Sequence, residues 1–183
     1  MQVRSTPIDG LLVITPKIFH DDRGYFFETY HVEKYKQLGI INDFIQDNEA
    51  RSVQNVVRGL HYQLPPFAQA KLVRVIEGSV LDIAVDIREG SATYGQVYTL
   101  EISAENKLQM YIPRGFAHGY AVLSPTAIFS YKCDAQYSKS HEAGIKLDDP
   151  ALNIDWKIDF SKAIISEKDM ILPHFGFHSP YKP

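Results

Sequence analysis

Three things that are scarce in this 183-residue sequence narrow the kinds of protein it can be. Cys133 is the one cysteine, so no disulfide can form within the chain, and a reducing compartment fits. No stretch approaches the roughly 18 apolar residues of a membrane span, and the first residues lack a signal-peptide pattern. The net charge of −3 gives no general surface for nucleic acid. We therefore expect a cytoplasmic protein that binds neither membrane nor nucleic acid.

Apolar and aromatic residues, by contrast, are plentiful. Hydrophobic residues make up 45% of the chain and charged residues 22%, which allows a full core and argues against global disorder. Eleven tyrosines and ten phenylalanines suit β-strands and also flat pockets that stack on a ligand. The length is that of one domain, and no convincing linker interrupts it, so residues 1–183 are expected to form a single domain.

Short apolar runs separated by turn signals recur along the chain and predict strands. In SVLDIAVDI, Leu81, Ile83 and Val85 alternate with polar or small residues, as expected for a strand with two different faces. Roughly ten such runs predict an all-β fold, an antiparallel sandwich or barrel with a few short helices. The runs are LLVITPKIF, YFFETY, FIQDN, NVVRGL, KLVRVIE, SVLDIAVDI, QVYTLEI, LQMYIP, GYAVL and AIFSYKC.

Four local features refine this prediction. Residues 31–39 show helical spacing and end at Gly39, which can cap a helix. The sequence HDDRG predicts a turn between two strands, and residues 77–79 (EGS) predict a tight hairpin. After about residue 139 the pattern loosens, with a possible short helix near Glu167, which indicates a tail packed on the barrel.

Two segments resemble the metal-binding motifs of cupin-type barrels, but with ligands changed. The second motif is nearly intact as IPRGFAH, which ends at His118, and the first retains His61 but has Gln63 at the second histidine position. No acidic residue lies between His61 and Glu77, and the ammonium of Lys71 would repel a cation. A divalent metal needs about three anionic or imidazole ligands, so we expect no metal. The other histidines, His20, His31, His141, His174 and His178, have no ligand spacing and are expected on the surface or in loops.

A metal-free pocket with histidine and lysine allows a different chemistry. A neutral imidazole can remove a proton beside a carbonyl group, and an ammonium can stabilise the enolate oxygen that results. Such a base needs a carboxylate to orient it, and an epimerase also needs an acid on the opposite face. Tyr131 and Asp169 are candidates for these tasks, although spacing alone cannot bring them to His61 and equally allows a strand tyrosine and a turn aspartate.

From Phe19 to Pro173 the sequence resembles the dTDP-4-dehydrorhamnose 3,5-epimerase family. The segments that carry the resemblance run in order over most of the chain and are specific only together. They are FHDDRGYFFETY, QDN, VVRGLHYQ, KLVRVIEGSVLDIAVDIR, SATYGQ, EISAENKLQMYIPRGFAHGYAVLS, FSYKC, DDPALNIDW and ISEKD.

The resemblance implies a cofactor-free jelly-roll homodimer that acts on a nucleotide-linked 4-keto-6-deoxyhexose. It implies that His61 is the base and that Asp169 orients it. Lys71 would face the enolate, and Tyr131 would donate the proton on the other side.

The same resemblance implies a set of substrate-binding residues. An N-terminal segment would reach the partner's pocket, Tyr137 would stack on thymine, and His118 beside Asp82 would line the sugar pocket. Arg58 and Lys168 match positions near the diphosphate, as suits anionic groups. The full set is Phe19, Arg23, Phe26 and Glu28 in the N-terminal segment, and Gln46, Asn48, Arg58, Asp82, His118, Tyr137, Glu142 and Lys168.

Three alternatives stay open at this point. A relative on the same scaffold could invert one carbon only or isomerise the ketone with a similar set of residues. A sugar-binding cupin would hold the ligand without exchanging its hydrogens. A metal-dependent cupin oxygenase or isomerase would contain iron, zinc or manganese.

Overall fold

The structure is a computed structural model that describes residues 1–182. Its two α-helices are α1 (Val32–Gln37) and α2 (Glu167–Met170), and single 3-10 turns occupy Lys139–His141 and Phe160–Lys162. The strands are β1 (Gln2–Ser5), β2 (Leu12–Thr15), β3 (Phe19–Asp21), β4 (Gly24–Phe26), β5 (Gln46–Val53), β6 (Val57–Gln63), β7 (Lys71–Glu77), β8 (Ser79–Asp86), β9 (Val97–Ser103), β10 (Gln109–Ile112), β11 (Phe116–Val122), β12 (Thr126–Cys133) and β13 (Glu142–Gly144).

Two antiparallel sheets face each other and confirm the predicted all-β, jelly-roll fold. The first has the order β1-β2-β10-β7-β12-β5, and the second has the order β13-β6-β11-β8-β9. Strands β3 and β4 form a separate hairpin, with the predicted turn at its tip. Side chains from the inner faces of both sheets meet in one core, in which Val73 and Phe129 of the first sheet pack with Val80 and Phe116 of the second.

Strand β8 is buried on both faces, although its sequence alternates. Leu81, Ile83 and Val85 pack on the outer face of the second sheet, against the C-terminal tail. Asp82 and Asp86 belong to the opposite face, and both are fully buried. The polar positions of the alternation therefore mark the inside of the fold and not a solvated surface, because the tail covers what would otherwise be the outside.

The prediction of a hairpin at residues 77–79 is wrong. Strand β7 pairs with β10 and β12 in the first sheet, whereas β8 pairs with β11 and β9 in the second. The chain thus crosses between sheets at Gly78, where a Cβ atom would lie 2.0 Å from the carbonyl oxygen of Thr126. The sequence of a sharp turn does not show whether the strand after it pairs with the strand before it or joins the facing sheet.

The helices and the tail follow the sequence prediction. Helix α1 packs Tyr35 against the outer face of the first sheet, and Gly39 follows its end with φ +86°. Residues beyond 144 cover the outer face of the second sheet, with Trp156 at the centre of that contact. The predicted short helix near Glu167 is α2. Within residues 1–182, no helix has both the length and the apolar character that a bilayer crossing requires.

Two glycines allow β6 and β11 to approach closely beside two histidines. A Cβ atom on Gly119 would lie 2.6 Å from the carbonyl oxygen of Arg58, and one on Gly59 would lie 2.6 Å from the Cα of Gly119. The pairing of β6 with β11 brings His118 opposite His61, and its register shifts just after His118. The positions of the two imidazoles therefore depend on a close backbone contact that leaves no room for a side chain at Gly59 or Gly119.

We expect Gly119→Ala to lower the free energy of unfolding by about 3 kcal/mol, because the added methyl group meets the backbone of Arg58 and Gly59 on β6. Gly39→Ala is the control, since a Cβ there meets nothing within 4 Å. Its left-handed φ should cost about 1 kcal/mol. Urea unfolding measures both, and an equal cost for the two variants would contradict the steric argument.

Candidate active site

Two clefts meet inside the fold and share three side chains, His61, Lys71 and Tyr131. The first cleft, of about 470 Å³, extends towards Arg58 and the segment from Ile164 to Asp169. The second, of about 320 Å³, extends towards the loop that carries Tyr137. Three of the four residues predicted to be catalytic therefore line both clefts, and the fourth, Asp169, lines the first.

The shared residues come from opposite sheets. His61 lies on β6, in the second sheet, whereas Lys71 begins β7 and Tyr131 lies on β12, both in the first. The two sheets face each other, so a flat ring held between them would meet imidazole on one side and phenol on the other. This is the geometry that removal and return of a proton on opposite faces requires.

His61 is hydrogen-bonded to Asp169 over 2.6 Å, from imidazole Nε2 to carboxylate Oδ1. Burial acts to raise the pKa of Asp169, but hydrogen bonds from His61 and the amide of Gly59 outweigh it and hold that pKa below its usual range. An ionised carboxylate can only accept hydrogen bonds, so Nε2 carries the proton. In the neutral imidazole the other ring nitrogen, Nδ1, is the one with a free lone pair.

The C-terminal tail brings Asp169 to this position. Ile164 bridges to Val56 next to the start of β6, through hydrogen bonds on both sides of the contact. The hydroxyl of Ser166 then accepts from the amide of Asp169 and caps α2, a pairing typical of helix N-termini. One turn of helix thus points a nearly buried carboxylate at His61.

Lys71 and Tyr131 are neighbours, with the ammonium nitrogen 5.9 Å from the centre of the phenol ring. Burial lowers the pKa of Lys71, against the opposing influence of Cys133, Asp82 and Glu142. Burial also raises the pKa of Tyr131. At neutral pH the phenol therefore keeps its proton and can donate it.

A second histidine–aspartate pair lies behind the first. His118 Nε2 is 2.8 Å from Asp82 Oδ1, and both side chains are buried. Burial lowers the pKa of His118, although Asp82 favours the charged form. Asp82 itself has no exposed surface and lines neither cleft, so it reaches a ligand only through His118. Its Oδ2 atom has no hydrogen-bond partner within the described chain.

Most of the predicted binding residues line the clefts. Gln46, Asn48, Tyr137 and Glu142 line the second cleft. The Tyr137 hydroxyl donates to Glu142 over 2.9 Å, and Lys168, from the first cleft, forms an ion pair with the same carboxylate over 2.5 Å. The Tyr137 ring is 55% exposed and free to stack on a planar group.

Arg58 marks the far side of the first cleft, where its guanidinium donates to the hydroxyl of Ser52 over 3.3 Å. Two aromatic residues that were not predicted from the sequence also line the first cleft. They are Tyr120 and Phe129, whose stacked rings have centroids 4.2 Å apart. The alternation in AIFSYKC places Phe129 on the same face as Tyr131, which was a usable signal. The same two-residue spacing places Tyr120 on the face of β11 that carries His118.

The predicted residues of the N-terminal segment do not line either cleft. They lie in or near the hairpin of β3 and β4, where Phe19 is 52% exposed and Phe26 67%. Arg23 pairs with Asp21 at the hairpin tip, and Glu28 contacts Lys34. Such large exposed aromatic side chains on a projecting hairpin are typical of a surface that another chain covers.

The remaining histidines give no metal site. Across residues 1–182 no group of three His, Cys, Asp or Glu side chains is arranged to hold an ion. His174 pairs with Asp149 in the tail. His178 lies in an irregular segment of the tail, within the expectation of a surface or loop position, and is buried there.

Comparisons with known proteins agree with this geometry. The sequence profile of the family described as dTDP-4-dehydrorhamnose 3,5-epimerase matches residues 5–176. A dTDP-4-dehydrorhamnose 3,5-epimerase from Shigella flexneri is 46% identical over 171 residues, 93% of each chain. The crystal structure of one from Elizabethkingia anophelis is 51% identical and covers 96% of this chain and 97% of its own, with a TM-score of 0.93.

A Legionella pneumophila epimerase, solved in complex with dTDP-4-keto-L-rhamnose, is 43% identical and has a TM-score of 0.94. That comparison covers 100% of this chain and 98% of the other. A profile match over nearly the whole sequence, relatives well above 30% identity and a shared fold all agree. The chain belongs to the dTDP-4-dehydrorhamnose 3,5-epimerase family.

Proposed function

We propose that this protein inverts C3 and C5 of a dTDP-linked 4-keto-6-deoxyhexose and so converts the D-configured sugar to dTDP-4-dehydro-L-rhamnose. The observation that carries the proposal is the placement of His61 and Tyr131 on facing sheets, with Lys71 beside the tyrosine. The ligand named for the Legionella relative, dTDP-4-keto-L-rhamnose, is the product that this reaction would give.

The reaction follows from the chemistry of a ketone at C4. The carbonyl acidifies the hydrogens on both neighbouring carbons, and Nδ1 of His61 removes one of them, while Asp169 stabilises the imidazolium ion that forms. The ammonium of Lys71 stabilises the enolate oxygen. Tyr131 then protonates the same carbon from the opposite face. The imidazolium of His61 then returns its proton to solvent and the Tyr131 phenolate takes one up, which restores both groups. A second cycle at the other carbon completes the double inversion, and neither cycle needs a cofactor.

The nucleotide would extend along the second cleft. There the Tyr137 ring offers a face for thymine, and Gln46 and Asn48 offer hydrogen bonds for the edge of the base. Lys168 and Arg58 line the first cleft and supply the positive charge that a diphosphate needs, so the diphosphate would lie on that side. His118, held by Asp82, would contact the sugar.

We propose that the functional unit is a homodimer with shared sites. The hairpin of β3 and β4 projects from the chain with its aromatic side chains exposed, and Phe19, Arg23, Phe26 and Glu28 line neither cleft of their own chain. In a homodimer these residues would complete the nucleotide site of the partner. Closed two-fold pairing allows each chain to give a hairpin and receive one.

The first test is turnover of dTDP-4-keto-6-deoxyglucose in deuterated water, followed by NMR. Deuterium should enter at both C3 and C5, and incorporation at one carbon only would replace the double epimerase with a single one. His61→Asn should slow exchange at both carbons by about 10² to 10⁴-fold, the usual contribution of a general base. His174→Asn is the matched control, because it also breaks a histidine–aspartate pair, but one outside both clefts.

The pH dependence of kcat should report Lys71. Both Lys71 and Tyr131 must be protonated to act, and burial lowers the pKa of the lysine while it raises that of the tyrosine. The contribution of Lys71 to activity is therefore present below its pKa and is lost as the pH rises through that value. Because the pKa is lowered, this loss should occur at a lower pH than the ordinary lysine value of about 10.4. In Lys71→Arg the guanidinium keeps its charge, so the alkaline limb should move up in pH at a lower kcat. An unmoved limb would assign it to another group.

The role of the hairpin is tested by mixing two inactive variants. The double variant Arg23→Ala/Phe26→Ala removes the hairpin side chains that would reach the partner, and His61→Asn removes the base. In a mixed dimer, the chain with the intact histidine receives the intact hairpin, so random re-association should restore about a quarter of wild-type activity. No recovery after verified subunit exchange would rule out a shared site.

A further inference from the structure

The side chain of Gln63 is buried and makes three hydrogen bonds, all to backbone. Its Oε1 atom accepts from the amide of Ser138 over 2.6 Å. Its Nε2 atom donates to the carbonyl of Gln136 over 3.0 Å and to that of Phe67 over 2.7 Å. Two of these contacts lie immediately before and after Tyr137. Gln63 therefore holds the backbone on both sides of the aromatic residue that faces the second cleft.

The geometry uses both polar ends of the amide. Both N–H groups of Nε2 and the oxygen are occupied by backbone partners, and the side chain is only 5% exposed. Glutamine is the side chain of this size that can accept from one amide and donate to two carbonyls at once. A glutamate would face the two carbonyls with oxygen, and a methionine would leave all three backbone groups unpaired.

The backbone at Tyr137 also forms a hydrogen bond to a residue of the second cleft, and this bond requires the backbone to stay where Gln63 holds it. The amide of Tyr137 donates to Oε1 of Gln46 over 3.3 Å, and Nε2 of Gln46 donates in turn to Asn48 over 2.9 Å. Both residues line the second cleft beside Tyr137. Displacement of the Tyr137 backbone would therefore move the ring and also one of the contacts that order the polar wall of the cleft.

We propose that Gln63 is a positioning residue for the nucleotide: it fixes the face of Tyr137 and so sets affinity for the dTDP end of the substrate. It stands where the resemblance to cupins would put a second metal ligand, yet its side chain is committed to backbone. The inference rests on the proposed function only in naming dTDP as the ligand. It predicts an effect on binding and KM, and little effect on the chemistry at His61.

The test is a double-mutant cycle read by calorimetric binding of dTDP alone. Gln63→Met should weaken binding by about tenfold, the order expected when buried hydrogen bonds are lost. In a Tyr137→Ala background the same change should weaken it less than about twofold, because the ring that Gln63 positions is gone. With substrate, KM should rise in Gln63→Met while kcat stays within about twofold of wild type.

Controls separate this role from a general loss of stability. Gln54→Met removes a side-chain hydrogen bond to a backbone carbonyl outside both clefts, at Leu123, and should leave dTDP binding unchanged. Gln63→Glu keeps the size and the acceptor for Ser138 and should bind as weakly as Gln63→Met, which provides a second variant if methionine prevents folding.

The outcomes are distinct. An equal loss in both backgrounds, or a fall in kcat without a rise in KM, would overturn the assignment of Gln63. Failure of the wild type to bind dTDP would instead count against the proposed function.

Discussion

The hydrogen bond between His61 and Asp169 joins residues 108 positions apart, and much of the molecule serves to make it possible. β6 has to reach the interior next to β11, which requires the contact between Gly59 and Gly119. The tail has to cross the outer face of the second sheet and return beside Val56. A carboxylate buried without such a partner would be costly, so the pair and the tail stabilise each other.

The division of the site between two sheets explains how a small fold can work on both faces of a ring. His61 belongs to one sheet and Tyr131 to the other, while Lys71 and His118 approach from the first and second sheets respectively. The distance between His61 and Tyr131 is set by sheet packing and not by a flexible loop. Tyr137 and the N-terminal hairpin differ, because they lie on loops or projections, which tolerate variation.

The sequence predicted most of the strands, α1, α2 and the tail, because local alternation and capping signals suffice for them. Its apolar runs missed the short strands β1 and β13. It could not predict that residues 77–79 cross between sheets, since a turn carries no information about the partner of the next strand. The resemblance selected Asp169 and Tyr131, which periodicity left ambiguous, and the structure brings both to the cleft that contains His61. In the sequence, Gln63 is recognisable only as the residue at a lost metal-ligand position. Its three hydrogen-bond partners are backbone groups, so the identity of no other side chain reveals them.

The covering of the second sheet by the tail has a consequence for how the protein is made. Every strand of the two sheets except β13 is encoded before residue 139, together with Lys71, Tyr131, His61 and His118. Asp169 is encoded thirty residues later. During synthesis His61 is therefore present long before Asp169. Until the tail docks, the outer face of the second sheet keeps its apolar side chains uncovered. Docking of the tail thus completes both the core and the histidine–aspartate pair.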